Sequence, residues 1–171
     1  ADINETLECW QIALENNNTP SVIALSRQKV SYLNPENFKK NKCKNGAYVV
    51  NLTSHDSNVT LVASGTEVEL ALKVQDKLNK NNIHSKVVSM PCMELFDKQS
   101  EEYRKDLIEE ESLVVTLEAG SITSWQKYIK NKGLNLGIDQ FGESAPYKEV
   151  YDHFDLTEDK ITSFIQKKLR E

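Results

Sequence analysis

A strand, a glycine and a helix follow one another directly between residues 58 and 78, and this succession constrains the fold most. Residues 59–63 form an unbroken run rich in branched side chains, as in a parallel strand covered on both faces. Gly65 provides the turn. Thr66 precedes Glu69 by three residues, which is the spacing of a capping box at the start of a helix. The pattern predicts a helix to about Leu78 with one apolar face packed on the sheet.

Strand and helix patterns alternate along the rest of the chain. Strands are predicted at residues 86–90, 113–117 and 136–138, and helices around residues 103–108, around residues 125–129, after Pro146 and around residues 161–169. Repeated units of this length imply right-handed crossovers between parallel strands. The sequence therefore predicts an α/β fold, an open, mostly parallel three-layer α/β/α sheet.

The N-terminal piece has a pattern of its own. Leu7, Trp10 and Leu14 recur at helical spacing, and residues 22–25 read as a short buried strand. Such a strand needs neighbours on both edges, and the chain before it offers none. We expect residues 1–30 to be the tail of a domain, residues 31–57 a polar linker with one possible strand at 47–52, and residues 58–171 a second domain.

Charge and cysteine usage exclude several classes of protein. The 171 residues carry a formal net charge of −5 with a pI of about 5.3, which disfavours nucleic-acid and membrane-surface binding. No apolar run approaches the roughly 18 residues that span a bilayer. Cys9, Cys43 and Cys92 are odd in number and contain no C-x-x-C pair, so they support neither a disulfide framework nor a zinc site. We expect a cytoplasmic protein with small-molecule or protein partners.

Few residues of the sequence indicate a catalytic or binding role in preference to a structural one. Glu118 and Asp139 follow predicted strands, and we interpret them as helix caps and turn formers in preference to an acid–base pair. The acidic side chain of Glu67 would repel a phosphate at the helix start, which argues against a nucleotide site. His55, His84 and His153 are scattered, as expected of surface histidines.

Arg27 follows the predicted strand at residues 22–25. Its planar guanidinium could hold a phosphate or carboxylate in a forked contact. Most charged residues near strand ends only form structural ion pairs. The residues alone favour an ion pair for Arg27 and leave anion binding open.

Six ordered motifs make the chain similar to the C-terminal part of transketolases. They are Leu-Ser-Arg-Gln at 25–28, Ala-Ser-Gly-Thr-Glu-Val at 63–68, Val-Ser-Met-Pro at 88–91, Glu-Leu-Phe at 94–96, Glu-Ala-Gly at 118–120 and Gly-Ile-Asp-Gln-Phe-Gly-Glu-Ser-Ala-Pro at 137–146. The resemblance covers essentially the whole chain. It implies that residues 1–30 finish a pyrimidine-binding domain and that residues 58–171 form a C-terminal domain whose sheet has one antiparallel edge strand.

The resemblance also implies an activity. Transketolases are homodimers that transfer a two-carbon ketol unit between sugar phosphates, with thiamine diphosphate as nucleophile and a divalent metal, Mg²⁺ or Ca²⁺, on its diphosphate. Arg27 matches the arginine that contacts the sugar phosphate in the family. The motifs for catalysis, cofactor and metal have no counterpart in these residues, so the resemblance implies that the chain alone is inactive and binds no cofactor or metal.

Two positions depart from the family pattern, and two alternatives remain. The family commonly has Arg at the position of Gln140 and Ala at that of Glu143, which removes any anion contact made by that arginine. A stand-alone flavodoxin-like binding or regulatory module is one alternative. The C-terminal domain of a deoxyxylulose-phosphate synthase is the other, although that family lacks the Leu-Ser-Arg-Gln motif.

Overall fold

Five strands form one sheet in this computed structural model, which describes residues 1–33, 41–109, 111–129 and 133–171. The strands are β1 (Tyr48–Leu52), β2 (Val59–Ala63), β3 (Ser85–Ser89), β4 (Leu113–Leu117) and β5 (Leu134–Leu136). Their order across the sheet is β1-β3-β2-β4-β5. All neighbours are parallel except β1, which pairs antiparallel with β3. The predicted mostly parallel sheet with one antiparallel edge strand is confirmed.

Helices cover both faces of the sheet. The α-helices are α1 (Ile3–Glu15), α2 (Glu67–Lys80), α3 (Met93–Asp97), α4 (Glu101–Leu107), α5 (Tyr147–His153) and α6 (Glu158–Lys168), and two 3₁₀ helices span Cys43–Asn45 and Thr123–Tyr128. Within the described ranges, no helix is both long and apolar enough to cross a membrane.

Two apolar clusters lie on opposite faces of the sheet. In the first, α2 and α6 pack on alternate residues of β2 and β4, such as Leu61 and Val115. In the second, Val62 and Val114 contact Phe96 and Trp125. Every residue of β2, β3 and β4 is buried, as the apolar runs of β2 and β4 predicted. The sheet is thus the middle of three layers.

The start of α2 differs from its prediction. The helix begins at Glu67 as expected, but Thr66 lies in the right-handed helical region and its side chain caps no backbone N–H. A capping residue needs an extended backbone to turn its oxygen toward the N–H groups of the first turn. Glu69 instead pairs with Lys73 at 2.9 Å. The predicted capping box is therefore wrong.

The predicted buried strand at residues 22–25 is also wrong for this chain. These residues have no regular secondary structure, and the side chains of Val22 and Leu25 are 93% and 65% exposed. Strand β1 lies inside the predicted linker, where the sequence allowed one at residues 47–52. Residues 34–40 of that linker lie outside the described residues.

Two smaller differences occur near β5. This strand ends at Leu136, where the prediction had it begin, and the helix predicted around residues 125–129 is the 3₁₀ helix Thr123–Tyr128. The helices predicted around residues 103–108, after Pro146 and around residues 161–169 are confirmed as α4, α5 and α6.

Candidate functional site

The carboxyl ends of β2 and β4 bring two acidic side chains into one region. Because the two strands are adjacent and parallel, Ser64 after β2 and Glu118 after β4 lie at the same edge of the sheet. Glu118 Oε2 accepts hydrogen bonds from Trp125 Nε1 at 3.0 Å and from Ser64 Oγ at 3.3 Å. The carboxylate of Glu118 thus joins the 3₁₀ helix Thr123–Tyr128 to the end of β2.

Glu67 is the second acidic residue, and it is 5% exposed. Its Oε1 accepts hydrogen bonds from the hydroxyl of Thr66 at 2.7 Å and from the hydroxyl of Tyr151 in α5. These bonds form two groups of three residues, one around each carboxylate, and we call the six residues together the carboxylate network. Its members are Ser64, Thr66, Glu67, Glu118, Trp125 and Tyr151.

The surroundings of Glu118 favour its protonated form. Burial raises the pKa of Glu118 from its ordinary value of 4.5, the hydrogen bond from Trp125 lowers it, and the negative charge of Glu67 raises it further. Burial and the hydrogen bond to Glu67 likewise raise the pKa of Tyr151. In this network hydroxyl and indole groups donate hydrogen bonds to the carboxylates. The negative charge of the carboxylates disfavours a phosphate at the start of α2.

Replacement of Glu118 by glutamine is expected to flatten the pH dependence of stability. A raised pKa means that the folded state holds the proton more tightly than the unfolded chain, so the wild type loses stability as pH rises from about 4.5 through the folded pKa. Glutamine keeps an acceptor oxygen but has no proton to lose. The free energies of unfolding of E118Q and wild type, measured by urea denaturation between about pH 4.5 and 7, should converge at low pH and diverge at high pH.

The exposed residue Glu143 provides the matched control, because E143Q removes the same charge at a solvated position. Its pH profile should run parallel to that of the wild type. A profile of E118Q that is also parallel to wild type would show that Glu118 is ionised with an ordinary affinity for its proton.

Asp139 serves a different purpose from Glu118. Its Oδ1 accepts hydrogen bonds from the backbone N–H of Ile122 and from Ser121 Oγ, both at 3.0 Å. Asp139 thus orders the turn before the 3₁₀ helix, as predicted. Glu118 contacts side chains and caps no helix, so its predicted role as a cap or turn former is wrong.

The histidines and acidic groups show no metal-binding arrangement in the described part of the chain. His55, His84 and His153 are exposed, as predicted. The described residues contain no group of three or more His, Cys, Asp or Glu side chains that could hold a metal ion.

A cleft separates the N-terminal segment from this edge of the sheet. It has a volume of about 720 Å³ and is lined by one side of α1, residues 19–26, Ser64 to Thr66, and residues around α3. Arg27 is exposed and follows directly after Ser26, which lines the cleft. Within the described residues Arg27 makes no hydrogen bond or ion pair, so the structural ion pair that its neighbourhood favoured is absent there.

The sequence pattern did not identify the roles of Glu67, Trp125 and Tyr151. The sequence suggests for Glu67 only a repulsion of phosphate and for Trp125 only a place in a predicted helix, and it suggests no role for Tyr151. The N–H of a buried Trp or the O–H of a buried Tyr usually forms a hydrogen bond. The sequence signal was therefore Trp125, whose indole N–H needs an acceptor if the side chain is buried.

A family model, "Transketolase-like TK C-terminal domain", matches residues 46–157. The transketolase of Aquifex aeolicus is 36% identical over 98% of this chain, and that of Rhodobacter capsulatus is 38% identical over 97%. The chain spans only 25% and 26% of these two relatives. It therefore corresponds to about a quarter of a transketolase, the C-terminal portion.

Solved structures agree with this assignment. The crystal structure of transketolase from Campylobacter jejuni matches with a TM-score of 0.84 and 38% identity over 95% of this chain and 24% of its own. A transketolase of Pichia stipitis in complex with sedoheptulose-7-phosphate matches with a TM-score of 0.89 and 30% identity over 99% of this chain and 24% of its own. These matches favour the transketolase assignment over a stand-alone flavodoxin-like module or a deoxyxylulose-phosphate synthase.

Proposed function

Since the chain belongs to the transketolase family, we propose that it is the C-terminal quarter of an enzyme that transfers a two-carbon ketol unit from a ketose phosphate to an aldose phosphate. The observation that carries the proposal is the extent of the match, which covers nearly the whole chain in relatives that are named transketolase. The reaction belongs to the pentose phosphate pathway, and we place the enzyme in the cytoplasm as a homodimer.

Arg27 is the residue of this chain that we assign to the substrate. Its guanidinium is exposed beside the cleft, and no carboxylate of the described residues occupies it. A free guanidinium presents paired N–H donors that match two oxygens of a phosphate monoester. The role of Arg27 is to bind and orient the phosphate of the sugar.

The described residues do not fit thiamine diphosphate and its metal. The start of α2 presents Glu67 and Glu69 in its first turn, where their charges oppose an anionic diphosphate. The oxygens of Glu67 and Glu118 that face the carboxylate network already accept hydrogen bonds. We therefore assign cofactor and metal to the remainder of the enzyme and derive no catalytic step for residues of this chain.

The N-terminal segment supplies the contact with that remainder. Val22 and Leu25 are exposed, as are Leu14 and Trp10 on α1. Apolar side chains at this density on one segment are typical of a surface that another part of the protein covers. A preceding pyrimidine-binding domain would give residues 22–25 the neighbouring strands that a buried strand requires, and it would place Arg27 at the end of its sheet.

Replacement of Arg27 by alanine in the full-length enzyme tests the proposal. We expect the KM for a ketose phosphate to rise roughly 10- to 100-fold, because a charge-assisted hydrogen bond is worth about 1.5–3 kcal/mol. The KM for the same ketose without its phosphate should stay unchanged. Steady-state kinetics with both sugars measures the difference.

Lys29 provides the matched control. It is exposed and lies two residues away, so K29A removes a positive charge from the same surface. Its KM values should equal those of the wild type. Equal effects of R27A and K29A, or an equal effect of R27A on both sugars, would contradict a direct contact between Arg27 and the phosphate.

A further inference from the structure

Cys9 and Cys43 are far apart in the sequence but adjacent in the structure. Cys43 begins the 3₁₀ helix Cys43–Asn45 and is 1% exposed. Its Sγ lies 3.9 Å from the carbonyl oxygen of Glu5, which is one helical turn before Cys9 on α1. Glu8, the residue before Cys9, accepts a hydrogen bond from the backbone N–H of Cys43 at 3.1 Å, and both cysteines line the same cleft. The chain thus carries a preformed pair of thiols at the contact between α1 and the 3₁₀ helix.

Glu8 holds this contact in place. Its Oε2 accepts hydrogen bonds from the backbone N–H groups of Lys42 at 2.7 Å and Cys43 at 3.1 Å. Asn41 Nδ2 adds a bond to the carbonyl oxygen of Glu8 at 2.9 Å. Three polar contacts between Glu8 and residues 41–43 therefore fix the backbone of Cys43 against α1, next to Cys9.

The thiol pair is accessible to a small oxidant. Both cysteines line the cleft of about 720 Å³, and Cys9 is partly exposed. Cys92 also lines the cleft, but its thiol donates to Glu94 Oε2 at 3.4 Å. Cys92 therefore lies in the same environment without a thiol partner among the described residues, and it provides an internal control.

We propose that Cys9 and Cys43 form a redox modification site that closes to a reversible intramolecular disulfide when it meets a peroxide. The Cys9 thiolate attacks one peroxide oxygen and becomes a sulfenic acid, while the other oxygen leaves as hydroxide and takes up the proton that Cys9 released. The Cys43 sulfur then attacks the sulfenic sulfur, and its proton and the sulfenic OH leave as water. Two thiols and one hydrogen peroxide yield one disulfide and two water molecules.

The exposure of the two side chains assigns the first attack to Cys9, since Cys9 is partly exposed and Cys43 is buried, and the directions of the pKa shifts agree. The hydrogen bond with Cys43 lowers the pKa of Cys9, against the opposing effects of burial and of the nearby Glu5 and Glu8. The interaction with Cys9, together with burial, raises the pKa of the buried Cys43 thiol. A thiolate reacts with peroxide and a thiol does not, so the partly exposed member of the pair reacts first.

The disulfide would tie α1 to the segment that leads into β1. An S–S bond is about 2.05 Å long, so the two sulfur atoms must move together before the bond can form. Oxidation would thereby fix the N-terminal segment on the sheet domain and hold one wall of the cleft. Reduction by a dithiol would release it.

Mass spectrometry of the protein after treatment with hydrogen peroxide tests the proposal. The remaining thiols are alkylated under denaturing conditions and the protein is digested without reductant. We expect a linked peptide pair that contains Cys9 and Cys43, alkylated Cys92, and a thermal midpoint that is higher by roughly 5–10 °C until dithiothreitol is added. Full alkylation of Cys9 and Cys43, or a linkage that contains Cys92, would overturn the proposal.

Two variants serve as controls for the oxidation experiment. C92S should give the same linked peptides as the wild type, and C9S should give none and no oxidant-dependent rise of the thermal midpoint. C9S alters a partly exposed position, so it tests the pair without disturbing the buried Cys43. An oxidant-dependent rise in C9S equal to that in C92S would show that another reaction stabilises the protein.

Discussion

Replacement of Gly46 by alanine is expected to lower the free energy of unfolding by roughly 3–5 kcal/mol, because two costs add at this position. Gly46 has φ +80°, in the left-handed region that a side chain disfavours. An added Cβ would also lie 2.2 Å from the backbone nitrogen of Phe96 and 2.4 Å from the carbonyl oxygen of Cys92. Both are backbone atoms, one in the residue before α3 and one within that helix, so neither can rotate away.

The same substitution at Gly65 separates the cost of backbone strain from the cost of steric overlap. It has φ +54°, but a Cβ there would meet no heavy atom within 4 Å. G65A should therefore cost only the backbone strain, about 1–2 kcal/mol. Urea denaturation followed by circular dichroism measures both variants. An equal loss for G46A and G65A would show that α3 moves away from Gly46 at little cost.

Replacement of Trp125 by alanine is expected to have an effect of similar size, roughly 3–5 kcal/mol. The indole is 1% exposed and packs against Tyr128 with ring centroids 6.2 Å apart. Its loss empties part of the second apolar cluster. It also removes the donor at 3.0 Å from Glu118, whose carboxylate would keep only its bond from Ser64.

Trp10 provides a control of the same residue type. It lies on α1 and is 49% exposed, so W10A should change the free energy of unfolding by less than about 1 kcal/mol. W125F keeps most of the packing and removes the N–H, so its loss should fall between those of W10A and W125A. Thermal unfolding compares the three variants. A loss in W10A as large as that in W125A would contradict the assignment of Trp125 to the core.

The sequence predicted the central part of the fold because local pattern and burial agree there. Continuous apolar runs at β2 and β4 are buried on both faces, and the polar face of α2 alternates with its apolar stripe as periodicity requires. The resemblance implied one antiparallel edge strand but did not say which strand it is. No local pattern in Tyr48–Leu52 encodes the direction of an edge strand.

Predictions failed where the outcome depends on neighbours that a local pattern does not contain. The apolar residues 22–25 have strand propensity, but without adjacent strands in the described residues their backbone groups have no ladder to join. The spacing of Thr66 and Glu69 fits a capping box, yet the tight turn at Gly65 leaves Thr66 in a helical conformation. Spacing alone does not determine backbone conformation.

The carboxylate network and the thiol pair were beyond sequence reasoning for a related reason. Glu67 and Glu118 share one environment because β2 and β4 are neighbours in the sheet, and strand order is a property of the whole fold. Cys9 and Cys43 meet because Glu8 binds the backbone of the 3₁₀ helix. The role of Arg27 was suggested by family resemblance, and its exposed position beside the cleft is compatible with that role.

The most direct test of the central proposal, a C-terminal quarter without its own cofactor site, is a calorimetric titration with thiamine diphosphate in the presence of Mg²⁺. We expect no heat of binding for this chain alone, because the start of α2 is acidic and the described residues offer no group of three metal ligands. The full-length enzyme should bind with micromolar or tighter affinity. Micromolar binding by this chain alone, or none by the full-length enzyme, would contradict the proposal.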